Sequence, residues 1–189
     1  MGYTRADFGP LDADGVLAGV TQVPTPNCDE RPADAPISLL VVHSISLPPG
    51  QFGGDAIVRF FTNSLDFSAH PYFQTLKDLR VSAHFLIRRD GEVLQFAPCK
   101  RRAWHAGLST WRGRECCNDF SLGVELEGAD DLAFAERQYL RLAQLAALLC
   151  TRYPLLDIVG HADISPGRKT DPGPSFDWAH YRESFTRIG

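Results

Sequence analysis

Ser38-Leu39-Leu40-Val41-Val42-His43 and Asp157-Ile158-Val159-Gly160-His161 are two short apolar runs, each ending on a histidine. Ser38–Val42 has strand length and no polar alternation, as expected of a central strand buried on both faces. Ile158–Gly160 reads as a last short strand. In Ser121-Leu122-Gly123-Val124-Glu125-Leu126, alternation places Leu122, Val124 and Leu126 on one face and Ser121, Gly123 and Glu125 on the other. Ser82–Ile87 and Glu92–Ala97 flank Arg89-Asp90-Gly91, and Asp-Gly between apolar segments predicts a hairpin.

Helical spacing marks three further segments. Gly54–Asn63 carries Ile57, Phe60 and Phe61 at helical intervals, and Phe176–Ile188 reads as a terminal amphipathic helix. Ala135–Tyr153 holds Leu140, Ala143, Leu145, Ala146, Leu149 and Cys150, which predicts a helix apolar all round and therefore buried. Residues 1–36, with Pro24, Pro26, Pro32 and Pro36, are expected to be an irregular segment wrapping the surface of a domain over 37–189. Strands alternating with helices predict a single α/β domain, a mixed central sheet flanked by α-helices.

The chain has 189 residues, 44% of them hydrophobic and 22% charged, which suits one soluble globular core. A net charge of -4 argues against a general nucleic-acid binder, which needs a basic stripe to neutralise phosphates. No apolar run reaches the roughly 18 residues a membrane span requires. The N-terminal Met1-Gly-Tyr-Thr-Arg-Ala-Asp-Phe-Gly-Pro has no apolar core of a secretory signal. The five cysteines, Cys28, Cys99, Cys116, Cys117 and Cys150, form no C-x-x-C pair and cannot all pair within one chain. Reduced thiols and a cytoplasmic location are expected.

The chemistry concentrates in His161-Ala-Asp-Ile-Ser-Pro-Gly-Arg168-Lys169-Thr170-Asp171-Pro172-Gly173-Pro174. A lone histidine at a strand end is ordinarily a cap bonded to backbone. Two of them, each closing an apolar strand, converge at the sheet edge where open α/β sheets place ligands. Pro172 and the following Gly-Pro stiffen the loop that carries Asp171; a metal ligand and a helix cap suit that carboxylate equally. Two imidazoles and a carboxylate with an open fourth position meet the needs of a catalytic zinc site. Lys169, two residues before Asp171, faces the same side of an extended segment and suits a developing oxyanion. Glu125, beside Gly123, reads as a carboxylate aimed into a cleft, with Glu127 at the strand end as its competitor.

These segments, together with Ser-Leu-Pro-Pro-Gly-Gln-Phe-Gly-Gly (46–54), Arg80-Val-Ser-Ala-His84-Phe-Leu-Ile-Arg-Arg-Asp-Gly, Arg102-Ala-Trp104-His105-Ala-Gly107 and Cys-Asn-Asp-Phe-Ser-Leu-Gly-Val-Glu125-Leu-Glu-Gly, resemble one family. It is that of the AmpD-type 1,6-anhydro-N-acetylmuramoyl-L-alanine amidases, relatives of phage lysozyme-like amidases and peptidoglycan recognition proteins. The resemblance covers nearly the whole chain from about Pro24.

It implies the peptidoglycan recognition protein fold and a zinc amidase of cytoplasmic cell-wall recycling, cutting between the lactyl group of anhydro-muramic acid and L-alanine. By position, it implies His43, His161 and Asp171 as Zn2+ ligands and Glu125 and Lys169 as the catalytic pair. Arg80, Ala103, Trp104 and Arg168 fall where relatives contact sugar or peptide. Ser44 stands where Asn is expected and Cys116 where a basic residue is expected, and both bear on fine substrate contacts. His84 and His105 are expected in supporting or cleft-wall roles rather than as ligands; His70 and His180 are expected to be structural or exposed.

The expected partner is the anhydro-muropeptide alone, with no nucleic acid, no membrane and a monomeric chain. A peptidoglycan-binding module without activity would have lost a ligand, whereas all three positions carry competent donors. An exported wall amidase would carry a signal or anchoring repeat.

Overall fold

A computed structural model describes residues 8–188. In chain order the elements are β1 (Thr21–Gln22), β2 (Cys28–Glu30), β3 (Leu39–Ile45), α1 (Ala56–Phe61), α2 (Pro71–Gln74), β4 (Phe85–Ile87), β5 (Val93–Gln95), β6 (Arg101–Ala103), β7 (Thr110–Trp111) and β8 (Arg114–Glu115). They continue with β9 (Ser121–Glu127), α3 (Glu136–Arg152), β10 (Asp157–Gly160), α4 (His161–Ile164) and α5 (Trp178–Ile188). Six strands form one sheet in the order β1-β5-β4-β9-β3-β10. Only the β4–β5 hairpin is antiparallel; the other neighbours run parallel. The sheet is mixed, with helices on both faces, as the pattern predicts.

The alternation on β3 and β9 decides which side is which. Leu40, Val42, Leu122, Val124 and Leu126 pack with Leu142, Leu145, Leu149 and Tyr181 from α3 and α5. Leu39 and Val41 point the other way, towards Ala106, Phe120 and Ile164. Phe60 and Phe61 of α1 and Phe73 of α2 cover Leu86 and Leu94. Gln138 fastens α3 to the strand ends, donating to the Glu127 and Ile87 carbonyls at 3.0 and 3.2 Å.

Two predictions change. The helix over 136–152 is buried on one face only: Glu136 and Arg137 are exposed, as is Cys150, and Leu140 is half-buried. Residues 8–36 are not wholly irregular, since β1 extends the sheet beside β5 and β2 pairs with β6; residues 1–7 of the expected irregular segment lie outside the described residues. Two- and three-residue strands carry too little alternation to be seen in a sequence. Among the described residues, no helix is long and apolar enough to cross a membrane.

Candidate active site

The β3–β9 register sets His43 directly opposite Glu125, both on the face opposite the α3 core. One strand over, β10 pairs with β3 through Gly160 and Val42, so His161 emerges beside His43 as the first residue of α4. Glycine at 160 lets the Asp171 loop close on the strand, because a Cβ there would stand 2.8 Å from Pro172 Cδ. The Ala162 amide then donates to the Asp171 carbonyl at 2.9 Å. Three segments far apart in sequence meet at one strand edge.

The donor atoms converge closely. His43 Nδ1 and His161 Nδ1 are 3.0 Å apart and lie 3.0 and 3.1 Å from Asp171 Oδ2. Ligands held at about 2.0–2.2 Å around a tetrahedral zinc would stand roughly 3.3 Å from one another. The observed triangle is close to that spacing. His161 Nε2 donates to the Ala106 carbonyl at 3.1 Å, which leaves the lone pair of a neutral imidazole on Nδ1, facing the triangle. Lone pairs crowded against a carboxylate oxygen repel one another unless a cation sits among them, so the donor set fits a metal.

Burial shapes the electrostatics. It lowers His43 to about 4, helped by the neighbouring His161 and opposed by Asp171. Burial alone would raise the Asp171 carboxyl, whereas a protonated His161 or His43 donating to it would hold it below the usual carboxylate range. Glu125 is pushed well above its ordinary value by burial and then by Asp171, with Lys169 opposing. Its Oε2 is buried without a hydrogen-bond partner. A carboxylate so placed is a proton acceptor with a vacant bonding position.

The cleft has a volume of about 460 Å3. His43, Glu125, His161, Lys169 and Asp171 line it together with Leu47, Phe60, Phe61, Tyr72, Leu76 and Leu79. Glu127, the competitor, lies elsewhere: its carboxylate accepts from the Gly53 and Arg89 amides at 2.6 and 3.2 Å and faces Arg88. Arg80, Trp104 and Arg168 are not among the lining residues, although each adjoins one in the chain. The Arg80 guanidinium bonds the Lys77 and Leu79 carbonyls, and that of Arg168 bonds the Ala106 and Leu108 carbonyls. Ala103 requires a correction: it sits in β6 opposite Cys28 with 0% exposure, so it offers no surface to a substrate.

The remaining histidines sort by position. His84 is buried within the sheet, accepting from the Gly123 amide and donating to the Arg101 carbonyl, both at 3.0 Å. His105 is also buried, with Nδ1 3.0 Å from His43 Nε2. Burial and then the neighbouring His43 and His84 keep it far below the ordinary histidine value. His70 caps α2 by accepting from the Tyr72 amide, and His180 meets Glu136 at the surface. The contact of His105 with His43 has no sequence signal except the spare room that Gly123 leaves on β9.

Residues 33–174 match the profile of the N-acetylmuramoyl-L-alanine amidases. The chain belongs to this family. It is 57% identical over 175 residues to the 1,6-anhydro-N-acetylmuramyl-L-alanine amidase AmpD of Citrobacter freundii, covering 92% of this chain and 94% of that protein. The AmpD of Escherichia coli K12 is 55% identical over 170 residues, 89% and 93% of the two chains. A crystal structure of a selenomethionine AmpD derivative superposes with a TM-score of 0.91 at 55% identity, covering 96% of this chain and all of that one. The amidase AmiD of E. coli, solved with anhydro-N-acetylmuramic acid-L-Ala-D-γ-Glu-L-Lys, aligns with a TM-score of 0.59 at 30% identity over 86% of this chain and 66% of its own. The protein is an N-acetylmuramoyl-L-alanine amidase, and its fold is that of the amidases it matches.

Proposed function

We propose that this amidase is zinc-dependent and hydrolyses the lactyl–L-alanine amide of 1,6-anhydro-muropeptides during cytoplasmic recycling of cell-wall fragments. The convergence of His43, His161 and Asp171, with Glu125 paired opposite His43 and its Oε2 without a partner among the described residues, carries this reading. His43, His161 and Asp171 would hold the ion. Bound zinc supplies Lewis acidity, which brings the pKa of a water near 7 and polarises a carbonyl.

The chain's own groups do the rest. Glu125, raised by burial, takes a proton from the attacking water as its oxygen adds to the lactyl carbonyl carbon. Lys169 faces the cleft and stabilises the negative charge that collects on the carbonyl oxygen. Glu125 then passes its proton to the alanine nitrogen, the C–N bond breaks, and a lactyl carboxylate and a free amine leave. Tyr72 and Leu79, the exposed apolar residues of the cleft lining, offer a surface to the sugar. Trp104, Arg80 and Arg168 are proposed contacts for the anhydro sugar and the stem-peptide carboxylates.

Two observations support the rest of the reading. Curated relatives that match over nine-tenths of their length are named for the 1,6-anhydro substrate. All five cysteines are free thiols, which suits a reducing compartment. Residues 37–189 are proposed as the catalytic domain, acting as a monomer with residues 8–36 packed against it. The test is a competition assay with anhydro-muramoyl and reducing-end muramoyl sugars on the same tripeptide. The anhydro form should win in kcat/KM, and intact sacculi should be almost untouched. Equal rates, or efficient release of peptides from sacculi, would refute the recycling assignment.

A further inference from the structure

Behind His43 runs a line of buried polar side chains that no catalytic step uses. His43 Nε2 lies 3.0 Å from His105 Nδ1, His105 Nε2 lies 3.2 Å from Ser121 Oγ, and Ser121 Oγ lies 2.6 Å from the Cys117 carbonyl. The far end sets the direction. A carbonyl only accepts, so the Ser121 hydroxyl donates to Cys117 and accepts from His105 Nε2–H. His105 Nδ1 is then bare and accepts from His43 Nε2–H, which leaves the His43 lone pair on Nδ1, 3.0 Å from Asp171 Oδ2.

We propose that His105 and Ser121 are positioning residues that lock His43 in its metal-binding tautomer and so set the affinity of the site for zinc. This rests on the zinc reading above.

The surroundings are built for the chain. Gly123 lies beneath the His105 ring, and a Cβ there would stand 2.4 Å from its Cγ, so only glycine admits the imidazole between β9 and His43. Asn118 Oδ1 accepts from the His105 and Ala106 amides at 3.1 and 2.8 Å. The same two residues orient both histidines: His105 through its ring towards His43, and Ala106 through its carbonyl towards His161 Nε2. One loop pinned by one asparagine therefore sets two lone pairs at once. Such outer partners are typically worth 10- to 100-fold in metal affinity.

The decisive measurement is long-range 1H–15N NMR of the zinc-free wild-type protein at neutral pH, joined to zinc dissociation constants from chelator competition. His43 and His105 should both carry their proton on Nε2. Ser121→Ala and His105→Phe should each weaken zinc binding by about 10- to 100-fold and shift the His43 tautomer. A purely structural role would lower the melting temperature and leave both of those readings unchanged. Wild-type His43 protonated on Nδ1 would overturn the proposal, as would folded variants with wild-type zinc affinity. If His105→Phe does not fold, Ser121→Ala and the wild-type spectrum decide. His43→Ala serves as the reference: undiminished zinc binding there would refute the ligand assignment itself, whereas loss there with no change in Ser121→Ala would refute only the positioning chain.

Discussion

Stripped of metal, the protein should lose stability steeply on mild acidification. His43, His84 and His105 are 1%, 0% and 8% exposed. Burial lowers His43 to about 4 and His84 to about 3 and holds His105 well below its ordinary value. The unfolded chain binds these protons near pH 6.5 and the folded one does not, so their contribution is complete above pH 6.5 and is lost as the pH falls below it. Each imidazole costs about 1.4 kcal/mol per pH unit, so three of them cost about 6 kcal/mol over roughly 1.5 units. Glu125, raised by burial, works the other way. It is protonated in the folded state before the unfolded one and offsets at most one of the three protons, leaving about 4 kcal/mol.

A loss of 4–6 kcal/mol is a large share of the roughly 5–15 kcal/mol that holds a domain together. Urea unfolding followed by circular dichroism, after chelation, at about pH 7.5, 6.5 and 5 reads the slope directly. Stability that changes by less than about 1 kcal/mol between pH 6.5 and 5 would refute the description of three neutral buried imidazoles.

The other predictions concern the site. Purified protein should carry one zinc per chain by metal analysis, lost with activity on chelation, and His43→Ala, His161→Ala and Asp171→Ala should each deplete it sharply; full occupancy in two of the three would contradict the ligand set. Glu125→Gln should keep zinc and muropeptide affinity while kcat falls by about 100-fold or more, and Lys169→Ala should lose turnover through the missing oxyanion contact; near-normal rates in either would remove that residue from its role. At Gly173, whose φ is +85°, a Cβ would stand 2.4 Å from Asp130 Cα. Gly173→Ala should therefore displace the Asp171 loop and weaken zinc binding as measured by chelator competition, and unchanged affinity would show that Asp171 is held independently of that turn.

The sequence made the centre of the molecule legible because the centre is built from long signals. Leu39–Val42 and Leu122–Leu126 are full apolar strands, and their ends place His43 and Glu125 as the register does. Pro172 and Gly173 mark the Asp171 loop as stiff. The rest depends on contacts that no local pattern encodes. β1 is two exposed residues that become a strand only because Leu94 and Gln95 lie alongside. α4 is a single turn begun by the Asp163 carboxylate accepting from the Gly160 amide at 2.7 Å. His105 lies in a loop without periodicity, and its meeting with His43 across 62 positions is a product of the fold alone. The helix over 136–152 reads as buried all round in the sequence because Leu140 and Cys150 look like core residues, yet Leu140 is half-buried and Cys150 exposed.

The metal triangle also has a mechanical consequence. His43 and His161 are 118 positions apart, so an ion shared between them closes a loop containing most of the chain. In the chain-entropy picture of a cross-link, a loop of that length is worth about 5 kcal/mol through the order it removes from the unfolded state. With all five cysteines free, the chain has no covalent tie of its own. The ion would thus serve as a staple that can be drawn and replaced, tying the fold's persistence to the zinc supply around it.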